Sequence, residues 1–406
     1  MKQIAIAVVG ATSAFYACAA AIALAMAPVQ PELASGMPVA NGPAIARAAR
    51  NELARISTKA RAAKGIAPPA VFAIDVPPRL RAAAQDAHSK EPLSTDALTI
   101  LALADARTNP TRAAVLFERI YALTKRDEAV VLWLAQRSAR RNDVAGTLHY
   151  FDEVLRTSGQ ARPLLLKQFA LATRDPEFRA SMTKLIAARP PWAGEFWAEA
   201  SQVPEAASSL ARLRIALATT AGPFDKLADQ RIANALVGQG DYATALDLYR
   251  SAIGRAARAT IVKNSDFDVQ SVMPPVDWEL YSTGDFGSEI PPDKGVLVGY
   301  AANSPGGVIA RQWVHLGPGQ LRFRGVLRTY GRGEGDEIAA TLTCLEDIAN
   351  GNTVQVFPLS QGQVETIFSR RGGCENYWLD IRIAPSERSS GIDVEFDSIS
   401  ITRIDQ

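Results

Sequence analysis

Histidine and cysteine are scarce, three of each in 406 residues. His88, His149 and His315 are far apart, and none stands at a spacing from a cysteine that builds a metal site. No Walker loop and no Gly-x-Ser-x-Gly elbow occurs. The glycine-rich Gly331-Arg332-Gly333-Glu334-Gly335 lacks a strand-to-helix setting and reads as a hairpin tip. The acid pairs Glu334/Asp336 and Glu346/Asp347 are close neighbours in turn-like sequence, where carboxylates are ordinarily solvated rather than paired across a substrate. These absences predict a non-enzymatic chain with no catalytic residue and no cofactor. Dense Lys/Arg clusters interleaved with aromatics are also missing, so nucleic acid is not an expected partner.

What is present is apolar and divided. Hydrophobic residues make up 48% of the chain, which excludes wholesale disorder, and 406 residues exceed what one core supports. The net charge is only +2, but residues 1–263 carry 33 Lys/Arg against 22 Asp/Glu and residues 264–406 carry 11 against 20. A swing from +11 to −9 marks a domain boundary.

Ile4 to Ala27 is free of charge and long enough as a helix, about 36 Å, to cross a hydrocarbon core of about 30 Å. An uncleaved transmembrane anchor is expected. A signal peptide cut after Ala25-Met26-Ala27 is the alternative, disfavoured by Pro28 at the cleavage point. Cys18 lies inside the span. Cys344 and Cys374 stand alone in the acidic part, as an exported disulfide pair would; two free thiols in the cytosol are the alternative. The expected placement is therefore a bacterial inner membrane, single-pass, with the body in the periplasm.

Residues 28–93 read as a Pro/Ala-rich linker containing a basic helix, Ala44 to Lys64, suited to anionic lipid or to a partner. Residues 94–260 read as helix after helix: Ser94/Thr95 to about Arg107, Thr111–Leu123, Glu128–Arg140, Asp143–Thr157, about Asp175–Ala188, Phe196–Ser201, Glu205–Thr219, Asp225–Val237 and Tyr242–Ala257. Ala113, Phe117 and Ile120 recur 34 residues later as Thr147, Phe151 and Val154. Gly240 to Ile253, with Tyr242, Ala245, Tyr249 and Ala252, resembles the second half of a tetratricopeptide repeat, whose period is 34. The resemblance implies an α-solenoid of about four to five helical pairs that holds a protein partner on its concave face, with Trp133, Trp192 and Trp197 either lining that face or in its core.

After Lys263 short alternating segments take over: Gly295–Tyr300, Val308–Val314, Gln320–Arg328, Glu337–Leu345, Val364–Phe368, Tyr377–Ile383 and Ile392–Thr402. They predict an antiparallel β-sandwich over residues 264–406. Asn264-Ser265-Asp266-Phe267-Asp268, the later Asp277-Trp278, and the closing Val394 to Ile404 resemble the two ends of galactose-binding-like jelly rolls among carbohydrate-binding modules. The resemblance implies adjacent end strands with Phe267 and Phe396 inward. It also implies a calcium edge built from Asn264, Asp266, Asp268 and Asp397, unless these are ordinary turn acids. Glycan binding would use aromatic platforms from among Trp278, Tyr300, Trp313, Tyr330 and Trp378, with Arg324, Arg328, Asn376 and Asp380 as polar partners. Tyr377 and Trp378 face opposite sides of their strand, so one of them is core.

The expectation that follows is a membrane-anchored periplasmic adaptor. Its repeats bind a protein and its jelly roll binds a glycan, in envelope polysaccharide assembly or export. The alternative is a purely structural protein–protein interaction subunit of an envelope complex.

Overall fold

The computed structural model describes residues 17–37, 41–64, 75–159, 162–218, 226–253, 260–302, 305–331, 333–346, 353–370, 373–387 and 391–404. The chain divides into two compact units, Met1–Arg162 and Pro163–Gln406.

The first unit is helical: α1 (described over 17–26), α2 (Pro31–Ser35), α3 (Gly42–Lys64), α4 (Pro78–Lys90), α5 (Thr95–Asp105), α6 (Pro110–Leu123), α7 (Glu128–Arg140) and α8 (Val144–Thr157). Side-chain caps fix the starts. Ser94, Asn109, Asp127 and Asp143 each accept a backbone N–H from three residues on, satisfying donors that the first turn leaves orphaned. α5 packs on α6 and α7 on α8. Ala113, Phe117 and Ile120 are buried against Val130 and Leu134, and the Phe117 ring stacks on Trp133 at 4.5 Å. Their 34-residue echoes Thr147 and Val154 are buried too.

Within residues 28–93, the described helices α3 and α4 pack into the unit. α3 buries Ala49 and Leu53 against Leu80 and Ala84 of α4 and Ile100 of α5. Three of its cations pair within the unit, Arg47 with Asp96, Arg50 with Asp127 and Arg55 with Glu32. Pro78 starts α4, taking the first helical position, where a missing N–H costs nothing. The apolar span from Ile4 lies outside the described residues up to residue 16. Among the described residues no helix is long and apolar enough to cross a membrane.

The second unit opens with α9 (Arg162–Ala172), α10 (Pro176–Ala187), α11 (Ala193–Ala200), a 3-10 turn at Pro204–Ala206, α12 (Ala207–Ala216), α13 (Lys226–Gly238) and α14 (Tyr242–Ile253). Regular pairing gives way here: α12 packs on α10, α13 and α14. A bidentate pair, Arg214 to Asp229 at 2.8 Å for both bonds, is buried among them. Trp192 and Trp197 are core residues.

The β part follows: β1 (Glu279–Leu280), β2 (Phe286–Glu289), β3 (Leu297–Ala301), β4 (Gly307–His315), β5 (Gly319–Tyr330), β6 (Glu337–Cys344), β7 (Thr353–Pro358), β8 (Gly362–Arg370), β9 (Asn376–Ala384) and β10 (Ile392–Arg403). One sheet runs β1-β4-β9-β6-β7 and the other β2-β3-β10-β5-β8. The antiparallel pairs nest as β3·β10, β4·β9, β5·β8 and β6·β7. Such a nest is one long hairpin rolled up, with the first and last strands side by side, which is the jelly-roll topology. Alternation puts Leu321, Phe323, Leu379, Ile381, Val394 and Phe396 into the core between the sheets, together with Phe267 and Trp278 from the preceding loop. The sandwich does not begin a separate compact unit at the charge boundary. Tyr242 of α14 stacks flat on Trp313 of β4, centroids 5.2 Å apart, so the helices before it share its unit.

Candidate functional site

The outer face of the β1-β4-β9-β6-β7 sheet concentrates the chemistry. In β9 the buried Tyr377, Leu379, Ile381 and Ile383 alternate with Asn376, Trp378, Asp380 and Arg382, so the second set faces outward. The register places Arg311 of β4 opposite Asp380 and Trp313 opposite Trp378. On the far side β6 offers Thr341 beside Asp380 and Thr343 beside Trp378. On the near side β1 sets Glu279 beside Arg311.

Trp378 is partly exposed and lies under the Arg311 guanidinium, 5.1 Å from its centroid. Arg311 is held from the other direction by a bidentate fork, Nε to Asp380 Oδ1 at 2.6 Å and Nη2 to Oδ2 at 2.9 Å. The bond to Asp380 raises the guanidinium's pKa against the opposing effect of burial. Tyr281 donates to Glu279 Oε2 at 2.8 Å. Burial first, then the Glu279 hydrogen bond and charge, pushes the Tyr281 hydroxyl up to about 12. The result is an aromatic plane flanked by a rigid planar fork, two carboxylates and a neutral hydroxyl. An apolar ring face stacks on such a plane while its hydroxyls meet planar donors and acceptors.

The other end of the same face is structural. Trp313 is 5% exposed, covered by Tyr242, and its Nε1 donates to Asn376 Oδ1 at 3.2 Å. Asn376 Nδ2 in turn donates to Glu346 Oε1 at 2.8 Å. Beside Glu346 the structure joins Cys344 to Cys374, Cα atoms 6.0 Å apart.

The five aromatics expected from sequence do not form one platform. Trp278 is fully buried, its Nε1 donating to Asn264 O at 3.2 Å, because it packs on Phe267 beneath the opening loop. Tyr300 and Tyr330 face outward from the opposite sheet, both paired through Asp393, and bond Thr283 O and Glu395 Oε2. Arg324 and Arg328 belong to that opposite sheet as well, with Arg328 spent on Asp397 and Glu395. Only Trp378, Asp380 and Asn376 of the expected set share a face with Trp313. Arg311, Glu279 and Tyr281 were not anticipated. Arg311 lies two residues before Trp313, so alternation alone puts it on the same face.

The four residues expected to hold calcium are dispersed in use. Asn264 closes its own loop through Val269, Asp266 accepts Ser265 Oγ, Asp268 is exposed, and Asp397 is paired with Arg328 across strands. Among the described residues the only grouping of metal-ligating side chains is Cys344, Glu346 and Cys374, whose sulfurs are committed to each other.

No family model and no curated protein matches the chain. Solved structures similar to it include a family 61 carbohydrate-binding module in complex with β-1,4-galactotriose, at 12% identity and TM-score 0.26, covering 36% of this chain and 100% of that one. A family 4 carbohydrate-binding module is similar at 14% identity and TM-score 0.23, covering 35% and 98%. A family 29 module is similar at 11% identity and TM-score 0.22, covering 36% and 85%. The fold assignment itself rests on the strand order above.

Proposed function

We propose that the chain is a non-enzymatic glycan-binding adaptor, in which the outer face of the β1-β4-β9-β6-β7 sheet takes a saccharide with Trp378 as its platform. The observation that carries this reading is the Arg311–Asp380 fork fixed beside a partly exposed indole at 5.1 Å. The helical units supply a surface for a protein partner, read as tetratricopeptide-like from the 34-residue echo of buried positions. The Cys344–Cys374 bond supports an oxidising compartment such as a periplasm, where the apolar Ile4 to Ala27 would tether the chain. Envelope polysaccharide assembly or export is the process that such an adaptor fits.

The test is retention of the full chain on a panel of immobilised polysaccharides. Trp378→Ala should weaken retention by about 2 kcal/mol, roughly 30-fold, as for a central aromatic contact. Tyr300→Phe and Tyr330→Phe, on the opposite sheet, should change nothing. A folded Trp378→Ala protein that binds as tightly as the parent overturns the platform. A second reading is favoured by the Tyr242–Trp313 stack, which already uses this face to dock protein: a structural subunit that retains no glycan at all.

A further inference from the structure

Between α14, residues 260–265 and the ends of β4 and β10 lies a cleft of about 560 Å³. Arg250, Lys263, His315 and Arg403 line it, and among the described residues no Asp or Glu does. Arg250 and Lys263 come from the basic part of the chain, His315 and Arg403 from residues 264–406, which carry 20 acids against 11 Lys/Arg.

The cations are held in place rather than neutralised. The Lys263 backbone is clamped on both sides by Gln312, whose Oε1 accepts Lys263 N at 2.7 Å and whose Nε2 donates to Lys263 O at 2.9 Å. Its ammonium donates to Thr260 O and meets no carboxylate among the described residues. Arg403 makes no ion pair among the described residues, and its guanidinium lies directly against Gly317, where an added Cβ would fall 1.9 Å from Nη2. Among the described residues Arg250 pairs with Asp247 alone, at 3.3 Å on an exposed helix surface where such a pair is screened. Burial, and then the Arg250 charge, lowers the Lys263 pKa, the response of an ammonium that lacks an anion. Ser265, Ser400 and Thr402 add hydroxyls along the same lining.

We propose that this cleft binds the carboxylate-bearing ring of an acidic saccharide. Lys263 and Arg403 take the carboxylate, charge-assisted bonds being the strong ones, and the serine and threonine hydroxyls meet the ring hydroxyls. The volume lies within the range of small-ligand sites. The site extends the glycan reading to a charged sugar, yet it requires no contact with Trp378, so the two fail separately.

The experiment is calorimetric titration of the full chain with oligoglucuronate and with the same oligomer after reduction of its carboxyls. The acidic oligomer should bind at least tenfold more tightly, and the preference should vanish in Lys263→Met/Arg403→Gln. Gly317→Ala leaves every charge in place but displaces the Arg403 guanidinium. It should weaken the acidic oligomer several-fold while melting like the parent. Equal affinities for the two oligomers overturn the proposal, as does a preference that survives the double variant. Trp378→Ala separates the readings: it should abolish binding of the reduced oligomer and leave a carboxylate-dependent component.

Discussion

Asp380→Asn isolates the charge that orders the candidate face without changing its shape. Asp380 is 8% exposed as a side chain and receives both arms of Arg311, which is 31% exposed. Breaking a fully buried pair costs about 3–5 kcal/mol because the surviving charge is stranded. Arg311 is open enough for water to recover part of that, and Asn keeps one acceptor, so the expected loss is about 2 kcal/mol. In a unit the size of Pro163–Gln406 this lowers the melting temperature by about 4–8 °C. The assay is thermal unfolding followed by tryptophan fluorescence, together with a cycle through Arg311→Met and the double variant Arg311→Met/Asp380→Asn. The double variant should lose less than the sum of the singles, since neither charge is left alone. A shift below 1 °C, or strict additivity, refutes the claim that the fork is a coupled pair. Glycan retention should fall in step with the loss of the fork even where Trp378 is intact.

Two further outcomes follow from the same unit. Reducing Cys344–Cys374, which spans a separation of 30 residues, should destabilise the sandwich by about 3–4 kcal/mol on a chain-entropy account, read as a drop in melting temperature with dithiothreitol that Cys344→Ser/Cys374→Ser reproduces; identical melting with and without reductant would show the bond carries no constraint. Tyr281 ionises only at about 12 when folded, against 10.0 for the free group, so the unfolded chain releases this proton first. Its stabilising contribution is complete below pH 10 and disappears as pH rises towards 12. Tyr281→Phe should flatten that part of the stability profile, and an unchanged profile would assign the loss to other groups.

The helices and strands with clear punctuation were legible from sequence. Glu128–Arg140 was bounded correctly because Asp127 caps its start and Asn142, at φ 57°, closes its end. β5 was visible because its buried positions recur at every second residue, and β4, β6, β9 and β10 because each is a run of eight or more residues rich in apolar and β-branched side chains. β1 has only two residues and β2 four, too few for a period of 2 to stand out. α4 and α9 were not among the helices read from sequence; Pro78 and Pro163 sit in their first turns, where proline is tolerated. The charge step at Lys263 was real as composition yet did not mark the compact boundary, because α14 lays Tyr242 on the sheet and ties the preceding helices to it.

The site was legible only residue by residue. Period-2 alternation sufficed to separate Trp378 from Tyr377, and it would equally have put Arg311 beside Trp313. What no local pattern supplies is the register of β4 against β9, which brings Arg311 to Asp380 across 69 residues. The same limit explains the error over the aromatics. Each of Trp278, Tyr300, Trp313, Tyr330 and Trp378 looked equivalent in a strand-rich sequence. Their fates were decided by which sheet each strand joined, by the loop that buried Trp278, and by a helix that arrived over Trp313. Trp378 is partly exposed, while Trp313 opposite it is covered by Tyr242. On this face Trp313 is covered by α14 while Trp378, on the neighbouring strand, keeps partial exposure beside the Arg311–Asp380 fork, so a variant such as Tyr242→Ala would uncover Trp313 while leaving that fork in place.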